Sequence, residues 1–133
     1  MFSTIGGSPG RNGPKKEAHY PNGKPSGIPL YSDVISYGDL VFVSGHGVNN
    51  VQDIRAQTAK VLDDIELALK SAGTTMQKVL KVNVFLKDIA DYQTMNEVFR
   101  GRFGDVPPVR STVAVAAIPL AGCLVEIEVV AGR

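Results

Sequence analysis

The chain has 133 residues, 14 Lys+Arg against 13 Asp+Glu, and 44% hydrophobic residues, enough for one self-sufficient core and too little for several domains. The near-neutral balance shows no clustered Lys/Arg footprint for nucleic acid or an anionic membrane, and no apolar run nears the ~20 residues of a spanning helix. One cysteine, Cys123, excludes an intrachain disulfide, and with only His19 and His46 beside it no Cys/His zinc cluster can form.

The chain therefore reads as soluble and cytoplasmic, with no nucleic-acid or membrane partner, although a processed export segment would have the same composition as its N-terminus. Residues 1–29 are dense in Gly, Pro, Lys, Ser and Asn around one extended-looking stretch at Ala18-His19-Tyr20. They are expected to form a flexible arm ahead of a domain over residues 30–133. Next, Ser32–Tyr37 and Leu40–Ser44 are β-rich runs flanking Gly38-Asp39, which predicts a hairpin. Gly45-His46-Gly47-Val48-Asn49-Asn50 is expected as a flexible loop. Ile54, Val61, Leu62, Ile65, Ala68, Leu69 and Ala72 then recur at helical spacing, and Gly73 supplies the stop. Val79–Lys87 alternates as a strand, with Val82, Val84 and Leu86 on one side and Lys81, Asn83 and Phe85 on the other.

A second helix is predicted over about 91–103, presenting Tyr92, Met95, Val98, Phe99 and Phe103 and ending at Gly104. After Pro107-Pro108, Arg110–Ala116 and Leu124–Ala131 read as strands separated by a turn at Pro119–Gly122. The order ββ-α-β-α-ββ is an α+β fold in which two helices cover one face of a sheet. On the strand from Arg110 both alternating sets are small or apolar, so both faces are expected to be buried. The last strand sets Val125, Ile127 and Val129 against Leu124, Glu126, Glu128 and Val130, and carboxylates on that second face are costly without partners or water. A subunit interface holding a polar cleft, in a dimer or trimer, is the expectation.

Arg110, behind the stiff Pro-Pro loop, is placed to take a carboxylate in bidentate fashion, although an ordinary ion pair would look the same. Glu126 lies on the non-helical face and suits general acid–base work; Glu128 is its solvated neighbour or an interface partner. Asn96 reads as a helix-surface hydrogen bonder or a ligand group. Tyr31 and Ser44, at the far ends of the hairpin, are expected to come close together and could orient a small polar molecule. His46 is more simply an exposed loop histidine, and Cys123, with no arranged base, a small core hydrophobe. Neither Gly6-Gly7 nor Gly45-His46-Gly47 has the spacing of a phosphate loop.

Five blocks together carry a resemblance: Leu40-Val41-Phe42-Val43-Ser44-Gly45, Val82-Asn83-Val84-Phe85-Leu86-Lys87-Asp88, Met95-Asn96-Glu97-Val98-Phe99, Pro108-Val109-Arg110-Ser111-Thr112-Val113 and Leu124-Val125-Glu126-Ile127-Glu128. The chain from about Tyr31 to Ala131 resembles the Rid/YjgF family of reactive-intermediate deaminases. The resemblance implies a chorismate-mutase-like fold, of the bacillary type, in a homotrimer with clefts between subunits. It implies hydrolysis of 2-enamine or 2-imine acids, such as 2-aminoacrylate and 2-iminobutanoate, to 2-keto acids and ammonia, with no metal or cofactor. Arg110 matches the family's carboxylate-binding arginine and Glu126 its water-positioning glutamate, while Tyr31, Ser44 and Asn96 match the supporting residues. Thr112 stands in the substrate-binding set where many members have cysteine, Leu30 precedes Tyr31 where proline is usual, and the stretch Gly45–Asp53 is shorter, with His46 for the usual glutamine. Beside the deaminase stand two alternatives, a non-catalytic carboxylate-binding or chaperone-like trimer and an aminomuconate-type deaminase with a wider cleft. The near-neutral charge disfavours ribonuclease activity, attributed to some relatives.

Overall fold

A computed structural model describes residues 13–133. In chain order these form β1 (Lys16–His19), β2 (Val34–Tyr37), β3 (Leu40–His46), α1 (Ile54–Ser71), β4 (Val79–Leu86), α2 (Tyr92–Phe99), β5 (Val109–Ala114) and β6 (Val125–Gly132). The six strands make one mixed sheet in the order β1-β2-β3-β6-β4-β5, antiparallel throughout except for the parallel pair β4–β5. The hairpin closes as the sequence predicts, with Tyr37 opposite Leu40 and Gly38 at φ 60°.

Local chemistry sets both ends of α1. The Asp53 carboxylate accepts from the Ala56 N–H at 2.8 Å, satisfying one of the helix's free donors. At the other end Gly73, at φ 78°, turns the chain so that its N–H reaches the Lys70 carbonyl at 3.0 Å and that of Thr74 reaches Leu69 at 3.0 Å. Between them Val61, Leu62, Ile65 and Leu69 face the sheet, where Val41, Val82, Val84, Val125 and Ile127 are fully buried. Each such side chain contributes about 1.5–3 kcal/mol by leaving water.

Three boundaries and one burial pattern differ from the sequence reading. Lys16–His19, inside the expected arm, pairs antiparallel with β2, and His19 Nε2 lies 2.7 Å from Ser36 Oγ. Ladder bonds to an existing strand supply what this polar composition does not; residues 1–12, the rest of the arm, lie outside the described residues. The expected loop at Gly45-His46 is instead the end of β3, which shifts register between Val43 and His46 and sets His46 opposite Ile127. α2 stops at Phe99 rather than near Phe103, because Gly101 adopts φ 82° and reverses the chain first. Finally, β5 is an edge strand, and Val113, expected to be buried, is 47% exposed in the single chain, while Val109, just ahead of the expected strand, is 68% exposed.

Candidate functional site

The sheet places the expected site residues on two faces. Arg110 and Thr112 are in register with buried Val82 and Val84 on the parallel neighbour β4, so they leave β5 on the helix-covered face. The Arg110 guanidinium carbon lies 4.7 Å from the Phe99 ring centroid and 5.8 Å from that of Tyr92. Its Nη2 donates to the Tyr92 hydroxyl at 3.4 Å, and Nη1 approaches Met95 Sδ at 3.9 Å. The aromatic faces stabilise the cation without neutralising it. Among the described residues no carboxylate lies within salt-bridge range of Arg110. The guanidinium lines a cleft of about 460 Å³ with Asn96, Phe99, Gly104, Asp105 and Pro107. Asn96 Oδ1 and Thr112 Oγ1 are buried without a hydrogen-bond partner among the described residues, a state that favours a ligand able to supply one. A small carboxylate with a neighbouring N–H or O–H fits these groups.

On the open face, β6 presents Glu126 opposite Phe85 and Glu128 opposite Asn83, whose Nδ2 donates to Glu128 Oε2 at 2.9 Å. Asn83 and Glu128 line a second cleft, of about 260 Å³, with Ser44 and Lys81. Ser44 Oγ is buried there without a hydrogen-bond partner among the described residues. Glu126 carries no such bond to Asn83 and packs on β3, where a Cβ added to Gly45 would fall 2.6 Å from its Oε2. Only a glycine lets the carboxylate lie so close to the β3 backbone.

Tyr31 does not join Ser44 in that cleft. It is 66% exposed and lines a separate hollow of about 290 Å³ with His19, Tyr20 and Asp33, although the Ser44 N–H bonds the Asp33 carbonyl at 2.9 Å. His46 Nδ1 lies 2.7 Å from the Ser44 carbonyl, on the helix side near Lys60 and Asp64. Cys123 is buried, its thiol donating to the Val125 carbonyl at 3.1 Å, and burial pushes its pKa up, which makes it a poor nucleophile. Among the described residues no three His, Cys, Asp or Glu side chains gather as metal ligands.

One chain thus brings Arg110 together with Asn96, with Thr112 on the same face, and sets Ser44, Glu126 and Glu128 beyond the sheet. Sequence reasoning missed the aromatic cage of Arg110 and the glycine under Glu126. The first had a signal: Tyr92, Met95 and Phe99, at i, i+3 and i+7, share one face of α2.

The family model described as endoribonuclease L-PSP matches residues 22–132. A RutC family protein of Pyrococcus horikoshii is 37% identical over 123 residues, 87% of this chain and 97% of the relative. The chloroplastic Reactive Intermediate Deaminase A of Arabidopsis thaliana is 35% identical over 124 residues, 88% of this chain and 66% of the relative. The structure of a Rid family protein of unknown function from Yersinia pestis is 36% identical and superposes with a TM-score of 0.81 over 90% of this chain and 100% of that one. Sequence blocks, mixed sheet and matched span agree, and the chain belongs to the endoribonuclease L-PSP family, the Rid/YjgF group.

Proposed function

We propose that the protein is a cytoplasmic hydrolase of 2-imino and 2-enamino acids, acting on small substrates of the 2-aminoacrylate and 2-iminobutanoate type in a homotrimer of chorismate-mutase-like subunits. The observation that carries this reading is the aromatic-caged guanidinium of Arg110, without a salt-bridge partner among the described residues, in a cleft with an amide oxygen that none of them bonds. Such a cation favours a carboxylate strongly, because charge-assisted bidentate bonds form where competing water is few. The opposite placement of Glu126 supports the oligomer: a substrate held by Arg110 of one copy meets the open face of another.

The chemistry needs little else. An enamine gains a proton at its terminal carbon and becomes the iminium, which is already electrophilic. Water held by Glu126 adds through oxygen to the iminium carbon, the C=N pair moves to nitrogen, and the carboxylate takes the water's proton. That proton then passes to the amine; the carbinolamine hydroxyl gives up its own proton as the C=O forms, and the C–N bond breaks to leave 2-keto acid and ammonia. Arg110 fixes the carboxylate, Asn96 and Thr112 offer polar atoms beside it, and Ser44 lies on the facing side, with Tyr31 in its own neighbouring hollow.

A second reading, a trimer that binds carboxylates without chemistry, is favoured by one fact: Arg110 and Asn96 share a cleft that does not contain Glu126. A coupled assay separates the two. With 2-iminobutanoate generated in place from threonine by a dehydratase, keto-acid release should accelerate with the wild type. Arg110→Ala should lose about 100-fold or more in kcat/KM. Glu126→Gln should lose turnover and keep binding 2-ketobutanoate. Binding without acceleration by the wild type would replace the deaminase with the binding protein.

A further inference from the structure

Gln57 is fully buried under the sheet, early in α1, and gives its whole side-chain amide to the backbone of two other segments. Its Oε1 accepts from the Leu124 N–H at 2.7 Å, and its Nε2 donates to the carbonyls of Val51 and Gly122, both at 2.9 Å. The partners fix the orientation of the amide, since one N–H needs an acceptor and two carbonyls need donors. A buried amide is costly unless bonded, and these three bonds offset that cost.

Of the two segments joined, one leads into Glu126 and the other follows the strand on which its carboxylate rests. Leu124 lies two residues before Glu126, and its carbonyl accepts from the Lys87 N–H at 3.0 Å. Val51 closes the short segment that leaves β3 just after Gly45, on which the Glu126 carboxylate rests, and His46, which faces Ile127 across the ladder. Gln57 itself lines neither the Arg110 cleft nor the Ser44 cleft.

We propose that Gln57 is a positioning residue for Glu126: by pinning the start of β6 to the segment that leaves β3, its amide sets where the carboxylate stands over Gly45. The inference rests on the deaminase reading above, in which Glu126 holds the attacking water. It separates two kinetic quantities. A displaced Glu126 impairs water addition, whereas carboxylate capture by Arg110, on another strand and the other face, is untouched.

The test compares wild type, Gln57→Met, Gln57→Glu, Gly45→Ala and the double variant Gly45→Ala/Gln57→Met in the coupled 2-iminobutanoate assay. Turnover is expressed per site, with competent sites counted by calorimetric titration with 2-ketobutanoate, so that an unfolded fraction does not register as lost catalysis. Gln57→Met should lower kcat about 100-fold, the usual effect of misplacing a group by an ångström, with KM unchanged within about twofold. Gln57→Glu, which keeps the acceptor for Leu124 but sets a carboxyl oxygen against the Val51 and Gly122 carbonyls, should lose at least as much as Gln57→Met. Amide exchange at Leu124 should quicken in Gln57→Met. Because both single changes move the same carboxylate, the double variant should lose much less than the product of the two.

Full turnover per site in Gln57→Met with a freely exchanging Leu124 amide would overturn the inference alone. So would a loss carried by KM, or a double variant that multiplies the two losses. A wild type that binds 2-ketobutanoate and never turns over imine removes the deaminase reading itself, and the inference falls with it.

Discussion

Gly45 lies near the end of β3 and Gly47 just beyond it, and at each a carbon in place of hydrogen would strike a specific neighbour: Glu126 Oε2 at 2.6 Å in the first case, Cys123 Sγ at 2.5 Å in the second. Gly47→Ala overpacks a buried contact and should cost about 1–3 kcal/mol. Cys123→Ala in the same chain removes the offending sulfur, leaving the Val125 carbonyl oxygen at 3.4 Å and the Cys123 carbon at 3.9 Å, both ordinary contacts, so the double variant should recover most of that loss in urea denaturation. Two independent, additive losses would contradict the contact. Cys123 also makes a pH prediction. Desolvation raises its thiol pKa, with the nearby Glu126 charge adding to the effect. The folded chain then holds this proton more tightly than the unfolded one, so its contribution is full below the ordinary thiol pKa and falls as pH climbs toward the raised folded value. Cys123→Ala should flatten that alkaline decline in the urea midpoint; an unchanged slope would mean that the thiol does not titrate with unfolding. Arg110 and Glu126 were legible as residue types at strand positions, whereas Phe99, Tyr92 and Gln57 were not. The spacing of Tyr92 and Phe99 marks them as core, Gln57 carries no such signal, and only the fold shows what each touches.

At the scale of elements, the alternation of β4 and β6 and the helical spacing of α1 could be read directly, because each buries one continuous apolar face. Where the reading failed, a local signal competed with a tertiary one. Phe103 continues the helical spacing beyond Phe99, and either Gly101 or Gly104 could end α2; the conformation of Gly101 decides it, while Phe103 still packs on Phe99 at 4.9 Å between ring centroids. Lys16–His19 has no strand composition of its own and owes its form to the free edge of β2. Gly45-His46 reads as a loop from glycine alone, yet β6 holds it in the sheet. Nothing lies within 4 Å of a Cβ placed on Gly101, so Gly101→Ala should cost only the backbone strain of a left-handed residue, about 1–2 kcal/mol in thermal or urea unfolding. By contrast Ile127→Ala, at the fully buried centre of β6, should cost about 2–5 kcal/mol. A Gly101 variant as damaging as the Ile127 one would mean that this turn packs more tightly than its open surroundings indicate.

For the whole molecule, the decisive features are the edge of β5 and the open face of β6. Both alternating sets of β5 read as apolar in the sequence, yet a single chain leaves Val109 and Val113 exposed, so the pattern describes burial that one chain does not provide. Sedimentation equilibrium should accordingly give a trimer; a stable monomer would remove the partner face that the proposed reaction requires. The separation of Arg110 from Glu126 by the sheet has a consequence for mixtures of defective chains. Arg110→Ala and Glu126→Gln would each be inactive alone, but unfolded and refolded together at equal amounts they would place an intact arginine beside an intact glutamate at about a quarter of the shared clefts, if copies assort at random. Two null alleles expressed in one cell would then complement each other, and that recovery, impossible for a site contained in one chain, would make the geometry of the sheet visible as a pattern of inheritance.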